Sequence, residues 1–338
     1  MVVSGVNGGK STLTIGDLSG HVLARATFDP MPRPVIANAG DIVPTAVRLA
    51  AGAAYYAEPT GRIHRLDPSG GDTVVATFPL ASTQQELSFA VSPDGKQFIA
   101  IVLTLPPVHD PPPQDLSQPV FKEGSRWATE LERATSGGTT ESVLKTDLGP
   151  APSGPLWSKV TTIAGWDQVG PVALLQTALA AQSPPASVRL PGTALVHLGS
   201  DGTHLDQLGG PGCGPLDELP DGTTLCYVGA FPRGYEVRTS SGQVIWQQDL
   251  AGGSYNNPLL SPDGRRIAVG NTLFTQGSTP ASFARQSTPQ LSAEAGGWVS
   301  PSTLAVGYPG RDTLQLVDVS DLQHPRDTGL TGQFIGTV

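Results

Sequence analysis

Apolar residues fall in short runs along this chain, and each run is bounded by Gly, Pro, Asp or Ser. Runs of about four to eight residues between turn formers predict strands. The longest, Phe98 to Leu105, suits a strand buried on both faces. The chain carries 41 Gly and 32 Pro in 338 residues. Many turns between short strands need that composition, because glycine supplies positive φ and proline pre-sets a turn. Long helices do not tolerate it.

The turns recur. Ser92-Pro93-Asp94-Gly95 leads into an apolar strand, as does Ser261-Pro262-Asp263-Gly264, and Leu219-Pro220-Asp221-Gly222 is a third copy. Gly222 and Gly264 are 42 residues apart, Gly95 and Gly264 are 169 apart, and Gly52 lies 43 before Gly95. Gly165-Trp166-Asp167 and Gly297-Trp298-Val299 are degenerate copies, with tryptophans 132 apart. A second turn runs out of phase with the first. It is acidic or small, contains glycine in most copies, and lies near Asp17, Asp67, Asp201, Ser241 and Asp318, with a weaker copy at Val143–Asp147. Two hairpin turns per unit of about 40–45 residues make four strands, the blade of a β-propeller. Units begin near residues 45, 86, 157, 211, 254 and 291. An N-terminal unit with strands near Val2–Val6, Leu13–Gly16 and Val22–Phe28 lacks an innermost strand, and the tail Gln333–Val338 is a spare one. The expected fold is therefore all-β: residues 1–338 form one seven-bladed propeller closed by the tail, which removes an exposed sheet edge.

The Ser-Pro-Asp-Gly turn followed by an apolar strand, at 92–100 and 261–269 and more loosely at 219–227, resembles the TolB-type, WD-repeat-like propeller repeat. That repeat occurs in periplasmic scaffold proteins and in non-catalytic domains of prolyl-oligopeptidase-like enzymes. The resemblance implies architecture and says little about activity.

Three stretches break the regularity. Residues 106–141 interrupt the third blade, with a stiff Pro106–Pro113 segment and a helix expected over Phe121–Arg133, where Trp127 and Leu131 stand at i, i+4. Residues 182–192 interrupt the fourth, and 276–290 form a loose stretch in the sixth. All three are expected between the second and third strands of their blades, hence on one face. Ordered loops on a rigid scaffold commonly carry binding; unselected surface decoration is the competing explanation. Phe121, Arg126 and Trp127 are the candidate anchors, because aromatics and arginine dominate binding hot spots. His109 and Asp110 accompany them on the same loop.

Catalytic signatures are scarce. Ser4-Gly5-Val6-Asn7-Gly8-Gly9-Lys10-Ser11-Thr12 approaches a phosphate loop, but Ser4 stands where the first glycine is required and a strand follows where a helix is needed. No Gly-x-Ser-x-Gly elbow occurs. His197, Asp201, His204 and Asp206 form the densest ligand-capable group, and His109, Asp110 and Asp115 form another. The first flanks a hairpin turn, where Asp and Gly are expected for backbone reasons alone. Trp166 and Trp298, equivalent in the repeat, are expected to pack in the core or between blades. No cofactor is called for. A formal net charge of −9 without a basic run disfavours nucleic acid, and no apolar stretch reaches the roughly 18 residues of a membrane-spanning helix.

The two cysteines add a compartment. In a hairpin centred near 220–221, Cys213 on the innermost strand comes nearly opposite Cys226, within disulfide reach; two buried thiols are the alternative. A disulfide implies an oxidising, extracytoplasmic setting, although Met1-Val2-Val3-Ser4-Gly5 has neither the basic nor the apolar region of an export signal. Two functions stay open: a binding or scaffold module meeting a protein, peptide or glycan on the loop-rich face, or a lyase- or lactonase-type enzyme with a metal and acid/base groups in the central channel.

Overall fold

In a computed structural model, residues 1–7, 10–29, 47–82, 85–107, 121–150, 160–176, 194–228, 234–249, 258–282, 294–307 and 313–338 are described. They form 28 strands and no helix. Blade 1 holds β1 (Val2–Asn7), β2 (Lys10–Gly16) and β3 (Val22–Phe28). Blade 2 holds β4 (Val47–Ala50), β5 (Ala53–Ala57), β6 (Arg62–Leu66) and β7 (Asp72–Thr77). Blade 3 holds β8 (Gln85–Val91), β9 (Gln97–Thr104), β10 (Arg126–Thr135) and β11 (Glu141–Pro150). Blade 4 holds β12 (Val160–Trp166), β13 (Pro171–Gln176), β14 (Ala194–Leu198) and β15 (His204–Gln207). Blade 5 holds β16 (Gly214–Glu218), β17 (Thr224–Val228), β18 (Gly234–Arg238) and β19 (Val244–Asp249). Blade 6 holds β20 (Leu259–Leu260), β21 (Arg266–Val269), β22 (Thr272–Thr275) and β23 (Ala281–Ser282). Blade 7 holds β24 (Glu294–Ser300), β25 (Thr303–Gly307), β26 (Thr313–Asp318) and β27 (Asp321–Thr331). The last strand, β28 (Gln333–Gly336), pairs with β1 and completes the first sheet in the order β28-β1-β2-β3. Seven four-stranded antiparallel sheets result, a seven-bladed β-propeller.

The core lies in the seams between blades. Leu13 and Ile15 of blade 1 pack with Ala54, Tyr56 and Leu66 of blade 2. Ala90, Ile99 and Ile101 of blade 3 pack with Ile163, Ala173 and Val196 of blade 4. A middle strand therefore faces apolar neighbours on both sides, so Phe98 to Leu103 of β9 are buried without alternation. An outermost strand such as β3 alternates between exposed and buried. That difference explains why some strands read as solid apolar runs and others as period two.

The repeated turn closes by the same bonds each time. Ser92 Oγ donates to Asp94 Oδ1 at 2.6 Å and accepts from Gln97 N at 2.9 Å. Ser261 repeats both bonds with Asp263 and Arg266, at 2.5 and 2.9 Å. Gly95 and Gly264 take φ of 73° and 68°, which favours glycine. Where Leu219 replaces serine, no hydroxyl is present, and the hairpin closes one residue sooner through Leu219 N to Thr223 O at 2.8 Å. In the resulting register Cys226 faces Pro215 rather than Cys213. Cys213 precedes the innermost strand, yet its Cα is 5.0 Å from that of Cys226 and the two form a disulfide.

Three expectations are corrected. Arg126–Thr135 is the third strand of blade 3, so no helix spans 121–133. A separation of four residues is also two strand periods, and Trp127 and Leu131 both face inward on β10. Val143–Asp147 lies inside β11; the turn of that blade is at Ser136–Gly138, where Gly138 N donates to Thr135 O at 2.9 Å. The loose stretch from 276 begins between the third and fourth strands of blade 6, β22 and β23, not between the second and third.

Two outcomes follow. Deleting Gln333–Val338 uncovers the inner edge of β1 and removes Phe334, 5% exposed, from the blade 7/blade 1 core. Urea unfolding is expected to register a loss of several kcal/mol, with F334A alone costing about 3–5 kcal/mol. The double variant C213S/C226S, opening a loop of 13-residue separation, is expected to lose about 3 kcal/mol, and thiol titration of the oxidised wild type is expected to find no free cysteine.

Candidate functional site

Antiparallel order sends the first-to-second and third-to-fourth connections of every blade to one side, the turn face. The second-to-third and blade-to-blade connections go to the other, the loop face. On the loop face, the ends of the connection from β9 to β10 are pinned. Lys122 N donates to Pro107 O at 2.9 Å. Trp127 packs with Leu103, Leu105 and Leu148. Phe121 and Trp127 are 2% and 1% exposed, so they hold the base of the loop and present no surface to a partner. Arg126 is exposed and forks onto Asp147 at 2.6 and 2.9 Å. His109, Asp110 and Asp115 lie outside the described residues, as does 182–192.

The turn face carries a cleft of about 650 Å³ between blades 3 and 4. Its walls include Gln97, Phe98, Arg133, Thr135 and Glu141 from blade 3, and Trp166, Val169, Pro171, Leu198 and Ser200 from blade 4. These residues sit where β9, β10, β11, β12, β13 and β14 meet their turns. Arg133 Nε donates to Glu141 Oε2 at 2.9 Å, so the two charges on the walls neutralise each other. Val169 is 72% exposed at the lip. Trp166 is half-buried. Its repeat counterpart Trp298 donates Nε1 to Leu259 O of the preceding blade at 3.1 Å, and Trp246 donates to Gly264 O of the following blade at 2.7 Å. Among the described residues, the Trp166 indole N–H has no acceptor. Trp298 is thus a seam residue as expected, while Trp166 packs against the blade 3/blade 4 core and also lines the cleft.

The turn that carries Trp166 is anchored from behind. Asp167 Oδ1 accepts from Val169 N and Gly170 N at 2.8 and 2.9 Å. Asp167 Oδ2 meets His197 Nε2 at 2.6 Å, and His197 Nδ1 meets Asp206 Oδ1 at 3.1 Å. The side chains of His197 and Asp167 are 2% and 5% exposed. Burial works against a charged ring, but the two carboxylates outweigh it, and the imidazole is held above its ordinary pKa. Glu218, at the end of β16 in blade 5, sits beside Asp167. Burial, reinforced by the Asp167 charge, pushes its carboxyl up to about 8. Gln168 N donates to Pro220 O at 3.2 Å across the same seam.

Of the four residues in the ligand-capable group around His197, the structure brings His197 and Asp206 together. Asp201 instead caps its own hairpin through Thr203 N and Oγ1 at 3.0 and 2.7 Å. His204 is exposed. Among the described residues no metal-holding group is present. Ser4–Thr12 forms the β1–β2 hairpin, with residues 8 and 9 outside the described set. Asp167 and Glu218 escape notice in the sequence because each stands where a turn or strand end accounts for it.

In the channel, Arg48 of β4 donates from Nε to Phe89 O at 2.8 Å and from Nη2 to Ile163 O at 3.0 Å, tying blades 2, 3 and 4 together. Burial lowers it to about 10, still charged at neutral pH. Burial raises Glu86, on neighbouring β8, to about 7.

The chain is similar to several solved β-propellers. An oligogalacturonate lyase in complex with manganese is 13% identical at a TM-score of 0.47, over 94% of this chain and 81% of that one. A putative TolB from Agrobacterium tumefaciens is 14% identical at 0.38, over 85% and 82%. The C-terminal WD40 domain of Sif2 is 13% identical at 0.41, over 82% of each. No family model and no curated protein matches the sequence.

The buried carboxyl and imidazole give stability a definite pH dependence. The unfolded chain releases the Glu218 proton near 4.5, whereas the folded protein keeps it to about 8. The charged His197 contributes fully below its ordinary pKa and less as pH rises through its folded value. The folded state binds more protons across this window, so stability falls from about pH 5 to pH 8, by an amount on the order of a few kcal/mol. E218Q is expected to flatten most of that slope and to be more stable than wild type at pH 8 in urea unfolding. An unchanged slope would remove Glu218 from the account.

Proposed function

We propose that this propeller is an extracytoplasmic binding module that seats a segment of a protein, peptide or glycan in the cleft between blades 3 and 4. The observation that carries this reading is Trp166: an aromatic side chain with an uncommitted N–H, held in an open cleft by a buried ion pair. Clefts of about 300–1,000 Å³ with an apolar floor and a few polar groups are typical ligand sites. Tryptophan dominates binding energy where its polar edge finds a partner on complex formation. The Cys213–Cys226 disulfide supports an oxidising compartment. The cleft puts the proposed binding surface on the turn face, opposite the connection from β9 to β10.

A lyase- or lactonase-type reading has one observation in its favour. A carboxyl near 7, as at Glu86, suits general acid/base work in a channel. Arg48, the charged group on the adjacent innermost strand, is committed to two backbone carbonyls, a structural role.

The test is capture from the host's extracytoplasmic fraction by immobilised wild type, V169D and E86Q. V169D puts a charge on the lip of the cleft without touching the core and is expected to lose what wild type retains. E86Q is expected to retain it. Retention by V169D with loss by E86Q would move the site to the channel.

A further inference from the structure

The chemistry of the walls narrows the occupant. We propose that the blade 3/blade 4 cleft binds a neutral oligosaccharide, with a pyranose ring laid on the Trp166 indole; this rests on the cleft being the binding site. Three observations converge. First, among the described residues the only charged side chains lining the cleft, Arg133 and Glu141, are paired with each other, so these walls carry no net charge for an ionic ligand. The chain as a whole is acidic, at −9, which works against a uronic or phosphorylated glycan. Second, β9, β10, β13 and β14 are interior strands whose backbone groups are paired on both edges. An extended peptide docks by finding a free strand edge, and these four strands present none, although β11 and β12, which end their sheets, also border the cleft. A sugar brings its own donors and acceptors. Gln97, Thr135, Thr139 and Ser200 line the cleft with side chains that make no hydrogen bond among the described residues, and each can both donate and accept. Third, Trp166 lines the cleft together with apolar Val169 and Pro171. The C–H face of a pyranose is weakly positive and apolar, so it packs on the negative face of an indole while its hydroxyls reach the polar rim. The indole N–H, which Trp298 and Trp246 spend on backbone carbonyls, remains available to a ring or hydroxyl oxygen.

The arrangement assigns roles. Trp166 is the platform, Arg133 and Glu141 form a donor–acceptor pair on the facing wall, and the Asp167–His197 pair fixes the platform's angle. Because Asp167 also binds Val169 N and Gly170 N, loss of the His197 charge loosens the whole turn.

The test exposes the full chain to an array of neutral hexose and N-acetylhexosamine oligosaccharides, matched uronic-acid oligosaccharides, and a displayed peptide library. Hits are titrated by calorimetry against wild type, W166F, W166A and R133A. R133A changes only an exposed side chain and keeps the proposal testable if W166A unfolds. Neutral oligosaccharides are expected to bind, with affinity reduced at least tenfold in R133A and W166A and less in W166F. Binding confined to peptides and abolished by R133A would overturn the ligand class and leave the cleft standing. Binding of neutral sugars indifferent to R133A, W166F and W166A would overturn the cleft itself. Absence of any neutral-sugar binder, or preference for the uronic series, would overturn the proposal.

Discussion

Pairing between the two ends of the chain holds the ring. Ser4 faces Gln333 and Val3 faces Phe334, and the tail approaches β1 closely enough that a Cβ at Gly332 would lie 2.3 Å from Ser4 O. Gly332 takes φ of 122°, a backbone that L side chains rarely adopt. Without this pairing the first and seventh blades would each present an open face, and every seam would lose the circumferential constraint that keeps its neighbours in contact. Because the core lies between blades rather than within them, closure and core are the same requirement.

The site inherits its rigidity from that arrangement. A cleft between two blades keeps its width only if both are held from behind. Blade 4 is held on its far side by Asp167, His197 and Glu218 at the blade 5 seam, and on its inner edge by Arg48 reaching Ile163 from blade 2. One turn, Trp166 to Gly170, thus has two faces: the tryptophan opens into one seam while the neighbouring aspartate is buried in the next. Alternation along a strand end places successive side chains in opposite seams, so a structural ion pair and a ligand platform are adjacent in sequence without touching the same space. The same carboxylate that orients the platform makes the seam pH-sensitive, since it raises the pKa of both His197 and Glu218.

Much of this was legible in the sequence, for physical reasons. Glycine-bearing turns at fixed spacing and apolar runs between them report the backbone, so blade starts expected near 45, 86, 157, 211, 254 and 291 appear at Val47, Gln85, Val160, Gly214, Leu259 and Glu294. The tail's place followed from counting strands. What failed depended on tertiary contact. Trp127 and Leu131 fit both helix and strand periods, and only pairing with β9 decides between them. Phe121 and Trp127 looked like exposed anchors because burial by a folded-back loop base leaves no local trace. Trp166 looked identical to Trp298, and they differ only in what the neighbouring blade offers their N–H. Asp167 and Glu218 are some fifty residues apart and become partners only across a seam.

The central claim, that Trp166 is an open platform whose polar edge awaits a ligand, is tested most directly by hydrogen exchange at the indole N–H groups, followed by NMR with the resonance assigned from W166F. The Trp246 and Trp298 indoles, each bonded to a backbone carbonyl, should exchange slowly. The Trp166 indole should exchange rapidly in the free protein and become protected when the cleft is filled. Slow exchange at Trp166 in the free protein would mean that its N–H is already committed, and the account of the cleft would be contradicted.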